Sequence, residues 1–283
     1  MKTREVAETK ANADDLEEVL RAHSAWLEAG GKKGRQAYLE AVDLEGCHLE
    51  GAVLEGAVLR GLNLEAAHLS GANLKGADLS GSQLMRALLW EANLTDSNLA
   101  DTNLSGAILV GANLSKAILE DANLDATDLA ESNLEEADLT GASMVKAYLW
   151  GANLRGAQLA GANLRQAKLV GADLTGANLD GATLDGANLE GALLDGASMK
   201  GTRLLGARIK GAHMGGVPTL REALIDESFL EEVETNGGLK ENLTTRRNGS
   251  GKAVSVEGKG KVVPFDGAKE AKGKRAKARK TKS

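Results

Sequence analysis

The chain has 283 residues, a net charge of −6, 42% hydrophobic residues but only 2% aromatics, and one cysteine. A single cysteine rules out a disulfide framework, and no apolar run approaches the ~20 residues of a membrane-spanning helix. A core must come from small aliphatic side chains, and a reducing, cytoplasmic home is expected.

Residues 1–12 are polar, do not read as a signal peptide and are expected to fray. From Asp14 to Ala29 the apolar residues Leu16, Val19, Leu20, Trp26 and Leu27 fall at helical spacing, with Asp14 or Asp15 as the cap and Gly30-Gly31 as the stop. This amphipathic helix is expected to cover the open end of the segment that follows, with Trp26 as its anchor. A partner-binding helix is the alternative.

From Ala37 to Met214 the chain repeats every five residues, as in Ala72-Asn73-Leu74-Lys75-Gly76 and Ala187-Asn188-Leu189-Glu190-Gly191. Of the 36 central positions from Leu39 to Met214, 32 are Leu, the others being Met144, Met199, Ile209 and Met214. Two residues earlier, 27 of the 36 are Ala; two residues later, 23 are Gly. On a helix the Leu column would rotate by about 140° per repeat, and on a straight strand an odd repeat would alternate faces. The column is buried only if Ala and Leu share one face of a short extended piece and the chain then turns a corner. Gly suits that corner through its tolerance of positive φ. Successive corners wind the chain into a solenoid.

The apolar residues just after the centre, Met85, Trp90, Val110, Val145, Trp150, Val170 and Leu205, gather into two columns modulo 20 but scatter modulo 15. Four sides of five residues follow, giving about nine coils and a rod roughly 43 Å long.

These blocks resemble the pentapeptide repeat family, with its Ala-(Asp/Asn)-Leu-x-x consensus, over residues 37–216. The resemblance implies an all-β solenoid, a right-handed quadrilateral parallel β-helix, and no reaction. It also implies two precedents. Some members resemble DNA in shape and charge and bind type II topoisomerases, and in some of those the C-terminal end is the dimer contact. The segment from His23 and Trp26 to Gly34 is similar to the leader of some bacterial members, which sets a boundary near residue 36.

Within the rod, 23 acids face 12 bases, and residues 91–138 hold eleven acids against Lys116 alone. Asp96, Asp101, Asp121, Asp125, Asp128, Glu131, Glu135 and Glu136 make up most of this acidic waist, followed by the basic Lys146, Arg155, Arg165 and Lys168. Stacked carboxylates ~5 Å apart could imitate a phosphate backbone; the plainer reading is that outward positions of a solenoid need solvated groups.

One wall is different. Before the centre it runs His48, His68, Leu88, Ile108, Asp128, Tyr148, Lys168; after it, Glu50, Ser70, Trp90, Val110, Ala130, Trp150, Val170. Leu88, Trp90, Ile108, Val110, Tyr148, Trp150 and Val170 therefore form an outward apolar face, with Met85 and Val145 around one corner. Such a face is either a protein contact surface or a stacked wall that stiffens the rod or lies under the tail.

Signs of chemistry are sparse. His48 and His68 are expected to stack near Glu50, but two histidines without a third ligand in view read as a polar ladder, so no metal is expected. Asn73, Asn93, Asn113, Asn133 and Asn153 form a second ladder. Cys47 occupies the small inward column and reads as a substitute for Ala. No nucleophile–base set, phosphate loop or cofactor motif is present, so neither catalysis nor a cofactor is expected.

After Met214, Pro218 opens an amphipathic segment with Leu220, Ala223, Leu224, Phe229, Leu230 and Val233, expected to be a capping helix over 217–235. Residues 236–283 carry 14 bases against four acids and are expected to be disordered. Lys272, Lys274, Arg275, Lys277, Arg279 and Lys280 suit weak contact with a polyanion or with the rod's own acids. The reading as a whole is a protein-binding scaffold that uses the apolar face; the alternative is a DNA-mimicking regulator of a type II topoisomerase or another DNA-binding enzyme.

Overall fold

The computed structural model describes residues 16–39, 42–215, 220, 223–226, 244–247 and 254–257. From Tyr38↔Val58 to Leu193↔His213, every fifth residue forms a parallel bridge with the residue twenty places on. Twenty residues per turn at five per side makes four sides, the expected β-helix. Each side contributes one bridging residue and not an extended strand.

The hydrogen bonding explains this spacing. Leu49 N–H donates to His68 C=O at 2.7 Å, Gly51 N–H to Ser70 C=O at 2.9 Å, and His68 N–H to Cys47 C=O at 2.8 Å. At the corner, Ala52 N–H donates back to Leu49 C=O at 3.1 Å. Gly51 occupies that turn with φ of 65°, the conformation a type II turn asks of its third residue. The same positive φ recurs at non-glycine corners, among them Ala126, Asp121 and Glu131.

Inside, the Leu and Ala columns form one continuous core, with central residues such as Leu124 and Met144 fully buried. Six small inward positions are Ser or Thr, and each hydroxyl donates to a backbone carbonyl: Ser82 to Leu59, Ser97 to Leu94, Thr102 to Leu99, Thr127 to Leu104, Ser132 to Leu129 and Thr202 to Leu179. A buried hydroxyl is tolerated because it is satisfied.

The helix α1 spans Leu16–Glu28. Leu16, Val19 and Leu20 pack against the core. The fully buried residue of α1 is His23 and not the expected anchor Trp26. Trp26 is half-buried and stacks on the His23 ring with centroids 5.7 Å apart. The imidazole is small enough to enter and carries an acceptor: its Nδ1 takes the Ala37 N–H at 3.0 Å. The turn after α1 requires glycine at Gly34, at φ 72°, because a Cβ there would collide with the Ala22 carbonyl oxygen. The proposed caps Asp14 and Asp15 lie outside the described residues.

At the other end the expected capping helix over 217–235 is corrected where it can be seen. Leu224–Ile225 is a strand, β1. Leu224 N–H donates to Thr202 C=O and its own C=O accepts from Leu204 N–H, both at 2.8 Å. The last coil leaves an edge of backbone donors and acceptors; a helix uses its own groups internally and cannot pair with that edge, whereas a strand can. Leu220, Ala223 and Ile225 are buried with it.

The expectation of disorder over 236–283 is also corrected at two stretches. Thr244–Arg247 (β2) and Val254–Glu257 (β3) pair antiparallel, and β3 pairs with β1 through Leu224↔Ser255 and Ile225↔Val254. The sheet order is β1-β3-β2. Thr244, Thr245, Val254 and Val256 are β-branched and suited to strands, and the free edge of β1 gives them a template.

Candidate interaction face

The twenty-residue register fixes which side chains share a wall. The bridges His48↔His68↔Leu88↔Ile108↔Asp128↔Tyr148↔Lys168 run without interruption along one wall. The residues two places on stack beside them, from Glu50 through Trp90, Val110, Ala130 and Trp150 to Val170. Trp90 is 48% exposed, Tyr148 42%, Trp150 53% and Val170 37%. Leu88, Ile108 and Val110 are half-buried. The wall thus brings all seven predicted residues together, in two groups. Leu88, Trp90, Ile108 and Val110 form one; Tyr148, Trp150 and Val170 form the other.

Between them stand Asp128 and Ala130. The Asp128 carboxylate accepts the Ala130 N–H at 3.1 Å, which folds the charge back toward the backbone. Ala130, a small residue, stands in the register between Val110 and Trp150. The Tyr148 and Trp150 rings meet edge to face at 6.0 Å, an arrangement that holds both in place. Met85 and Val145, placed around the corner, are half-buried and separated in their column by Ser105 and Asp125. They do not make one surface with each other.

The acidic waist resolves into a girdle. In the twenty-residue register Asp101 stacks on Asp121, but Asp96 and Glu136 are separated by Lys116, whose Nζ is 3.7 Å from the Glu136 carboxylate. Asp125 is occupied by Ser143 and by the Val145 N–H, at 2.6 and 2.9 Å. Glu131 and Glu135 stand on other columns, so the acids encircle the rod and do not form one ladder of carboxylates. The basic belt is partly paired: Arg155 reaches Asp173 at 3.2 Å and Arg165 reaches Asp185 at 3.6 Å. Lys272, Lys274, Arg275, Lys277, Arg279 and Lys280 of the tail lie outside the described residues.

At the N-terminal end of the same wall, Glu50 Oε1 lies 3.0 Å from His48 Nδ1 and 3.2 Å from His68 Nδ1. The Glu50 carboxyl is held below its usual value, first by its own backbone N–H and then by His48. The two imidazoles are tilted, with centroids 4.4 Å apart. The sequence pattern had put Glu50 beside the pair; the structure makes it the shared partner of both rings. Cys47, next to His48, is half-buried and its thiol is pushed up to about 11 by burial, which leaves it protonated and unreactive. The Asn ladder is present, with Asn93 donating to Asn73 at 3.0 Å, Asn133 to Asn113 at 3.2 Å and Asn153 to Asn133 at 2.9 Å.

Among the described residues no helix is long and apolar enough to cross a membrane. The family described as pentapeptide repeats matches in eight overlapping copies, from residues 37–76 to 177–216. Among solved structures, the chain is similar to HetL, a pentapeptide repeat protein involved in heterocyst differentiation regulation in the cyanobacterium Nostoc sp. strain PCC 7120, at 30% identity over 75% of this chain and 96% of that one, with a TM-score of 0.37. It is similar to alr5209, a pentapeptide repeat protein from Nostoc PCC 7120, at 35% identity over 35% of this chain and 84% of that one, with a TM-score of 0.20. QnrB1, a plasmid-mediated fluoroquinolone resistance protein, matches at 18% identity over 72% of this chain and 98% of that one, with a TM-score of 0.31. No curated protein matches the chain.

Proposed function

The chain belongs to the pentapeptide repeat family, and from that premise we propose that it is a non-enzymatic scaffold that presents the Leu88–Val170 wall to a protein partner. One observation carries this reading. Trp90, Tyr148 and Trp150 are about half exposed on a single wall, in a rod whose interior is filled by Leu and Ala. Aromatic side chains that the core does not use, gathered on one face, are the usual anchors of a protein contact.

In this reading the rod (residues 37–216) is right-handed with about nine coils. Residues 1–36 form the leader, with α1 covering the first coil, and 217–235 close the other end, where a homodimer contact is also proposed. The basic tail over 236–283 makes weak polyanion contacts, and the protein is cytoplasmic.

The alternative is a DNA-mimicking regulator of a type II topoisomerase or similar enzyme through the acidic girdle. The stacked pair Asp101 and Asp121 favours it. The Lys116 interruption and the spread of acids over several columns weigh against it, because a phosphate backbone is a continuous line of charge.

The test is affinity capture with the full chain, with Trp90→Ala/Trp150→Ala, and with Asp121→Lys/Glu131→Lys/Glu136→Lys. The scaffold reading expects a partner that the tryptophan variant loses and the charge-reversed variant keeps. The opposite pattern transfers the function to the girdle. A partner retained by both variants overturns both readings.

A further inference from the structure

We propose that His48, Glu50 and His68 form a binding site for one divalent transition-metal ion of the zinc class. This does not depend on the partner-binding reading above. The ligand atoms, two imidazole nitrogens and one carboxylate oxygen, all lie within 4.8 Å of one another. Zinc takes such ligands at about 2.0–2.1 Å, which sets the edge of its coordination tetrahedron at about 3.3 Å. The two nitrogen–oxygen edges already measure 3.0 and 3.2 Å. All three side chains reach solvent, so small rotations can close the third edge.

The backbone holds the ligand carriers in place before any ion arrives. His48 and His68 are a parallel bridge pair on adjacent coils, tied by His68 N–H to Cys47 C=O at 2.8 Å and Leu49 N–H to His68 C=O at 2.7 Å. Glu50 stands two residues after His48 on the same wall. Neither ring contributes to the core, so the cluster is free of a packing role.

The protons balance. Before binding, each Nδ1 that donates to Glu50 carries the ring proton. On loading, that proton moves to Nε2 of the same ring, and Nδ1 offers its lone pair to the ion. Starting from neutral rings, this exchange releases no net proton, and the fourth position is open to water. Two imidazoles and one carboxylate favour Zn²⁺, Ni²⁺ or Cu²⁺ over Mg²⁺ and Ca²⁺, which require mainly oxygen ligands. Of the chain's four histidines, His23 is buried against Ala37 and His213 lies at the far end of the rod. The pair is therefore the one place on the rod where two imidazoles converge.

The experiment uses the full chain, titrated calorimetrically with Zn²⁺ and spectroscopically with Co²⁺ in buffer containing excess Mg²⁺. The expected result is one ion per chain, a tetrahedral Co²⁺ absorption band, and a melting temperature that rises with Zn²⁺. His48→Gln, His68→Gln and Glu50→Gln should each weaken binding at least about tenfold, a scale that even outer-shell changes reach. His213→Gln and Asp121→Asn should leave it unchanged. Circular dichroism without metal should show that all five variants retain the fold. Absence of saturable one-to-one uptake, or uptake that survives His48→Gln, would overturn the proposal.

Discussion

His23 Nδ1 accepts the backbone N–H of Ala37 at 3.0 Å, at the point where the helix ends its approach and the first side of the rod begins. Along the rod the equivalent N–H donates to the Leu carbonyl three residues back, as Ala57 does to Leu54 at 3.0 Å; no repeat corner precedes Ala37, so a side chain supplies the acceptor. Protonation would turn that acceptor into a donor facing another donor. Burial lowers the pKa of His23, opposed by the Glu55 carbonyl and carboxylate.

The sign of the pH dependence follows. The unfolded imidazole takes up a proton near its ordinary pKa of about 6.5, whereas the folded one resists until lower pH. The contribution of His23 is therefore fully present above that pH and declines as the solution is acidified below it. The protection factor of the Ala37 amide against hydrogen exchange, normalised to the intrinsic rate at each pH, should fall from pH 7.5 to pH 5. In His23→Asn, which keeps an acceptor but does not titrate, that fall should disappear; if it persists, His23 is not its source.

The corners make a second, opposite pair of expectations. Ala126 sits at φ 56°, where an L-residue is strained by about 1–2 kcal/mol. Ala126→Gly should stabilise the rod by up to about 1 kcal/mol. Gly161 has φ 70° and open space where a Cβ would stand, so Gly161→Ala should cost about 1 kcal/mol through backbone strain alone. Urea denaturation of both variants measures this; equal shifts of the same sign would contradict it.

Leu124 is fully buried and Trp90 half exposed, and their truncations should separate stability from recognition. Leu124→Ala should cost about 2–5 kcal/mol through lost burial and a cavity. Trp90→Ala should cost clearly less, about 1–2 kcal/mol at most, while removing a binding anchor. Thermal melts compared with partner capture test this. A Trp90 variant as unstable as Leu124→Ala would make the aromatic wall a packing feature.

Asp173 should matter in acid. Burial raises its pKa, but hydrogen bonds from the Thr175 hydroxyl and backbone N–H, together with Arg155, outweigh that and leave it lowered. Its stabilising contribution is present above the unfolded value of about 3.9 and is lost as pH falls through the lower folded value. In Arg155→Gln, carbon-detected titration should place the Asp173 pKa higher than in the unmodified protein. An unchanged titration would remove Arg155 from the balance.

Much of the architecture was readable from the amino acids because it rests on local periodicity. Leu124 and Ala122 had to share a face and Asp121 had to turn a corner. Stacking of successive coils then placed Trp90, Val110, Ala130 and Trp150 on one wall by arithmetic alone. The acidic girdle was equally open to that arithmetic, but read as a linear composition it looked like a ladder.

The ends depended on the tertiary structure. A helical pattern around Trp26 pointed to the largest apolar ring, yet the site needed a small ring with a lone pair for Ala37. Leu224 lay in a pattern that suited a helix, yet the last coil offered a carbonyl at Thr202 and an N–H at Leu204. The shared role of Glu50 likewise depended on the distances to His48 and His68. Periodicity by itself determined which side chains are buried along the rod, since every coil meets an identical neighbour. Only the assembled structure decided what happens where that neighbour is missing, because unpaired backbone groups there take whatever partner the fold brings within reach.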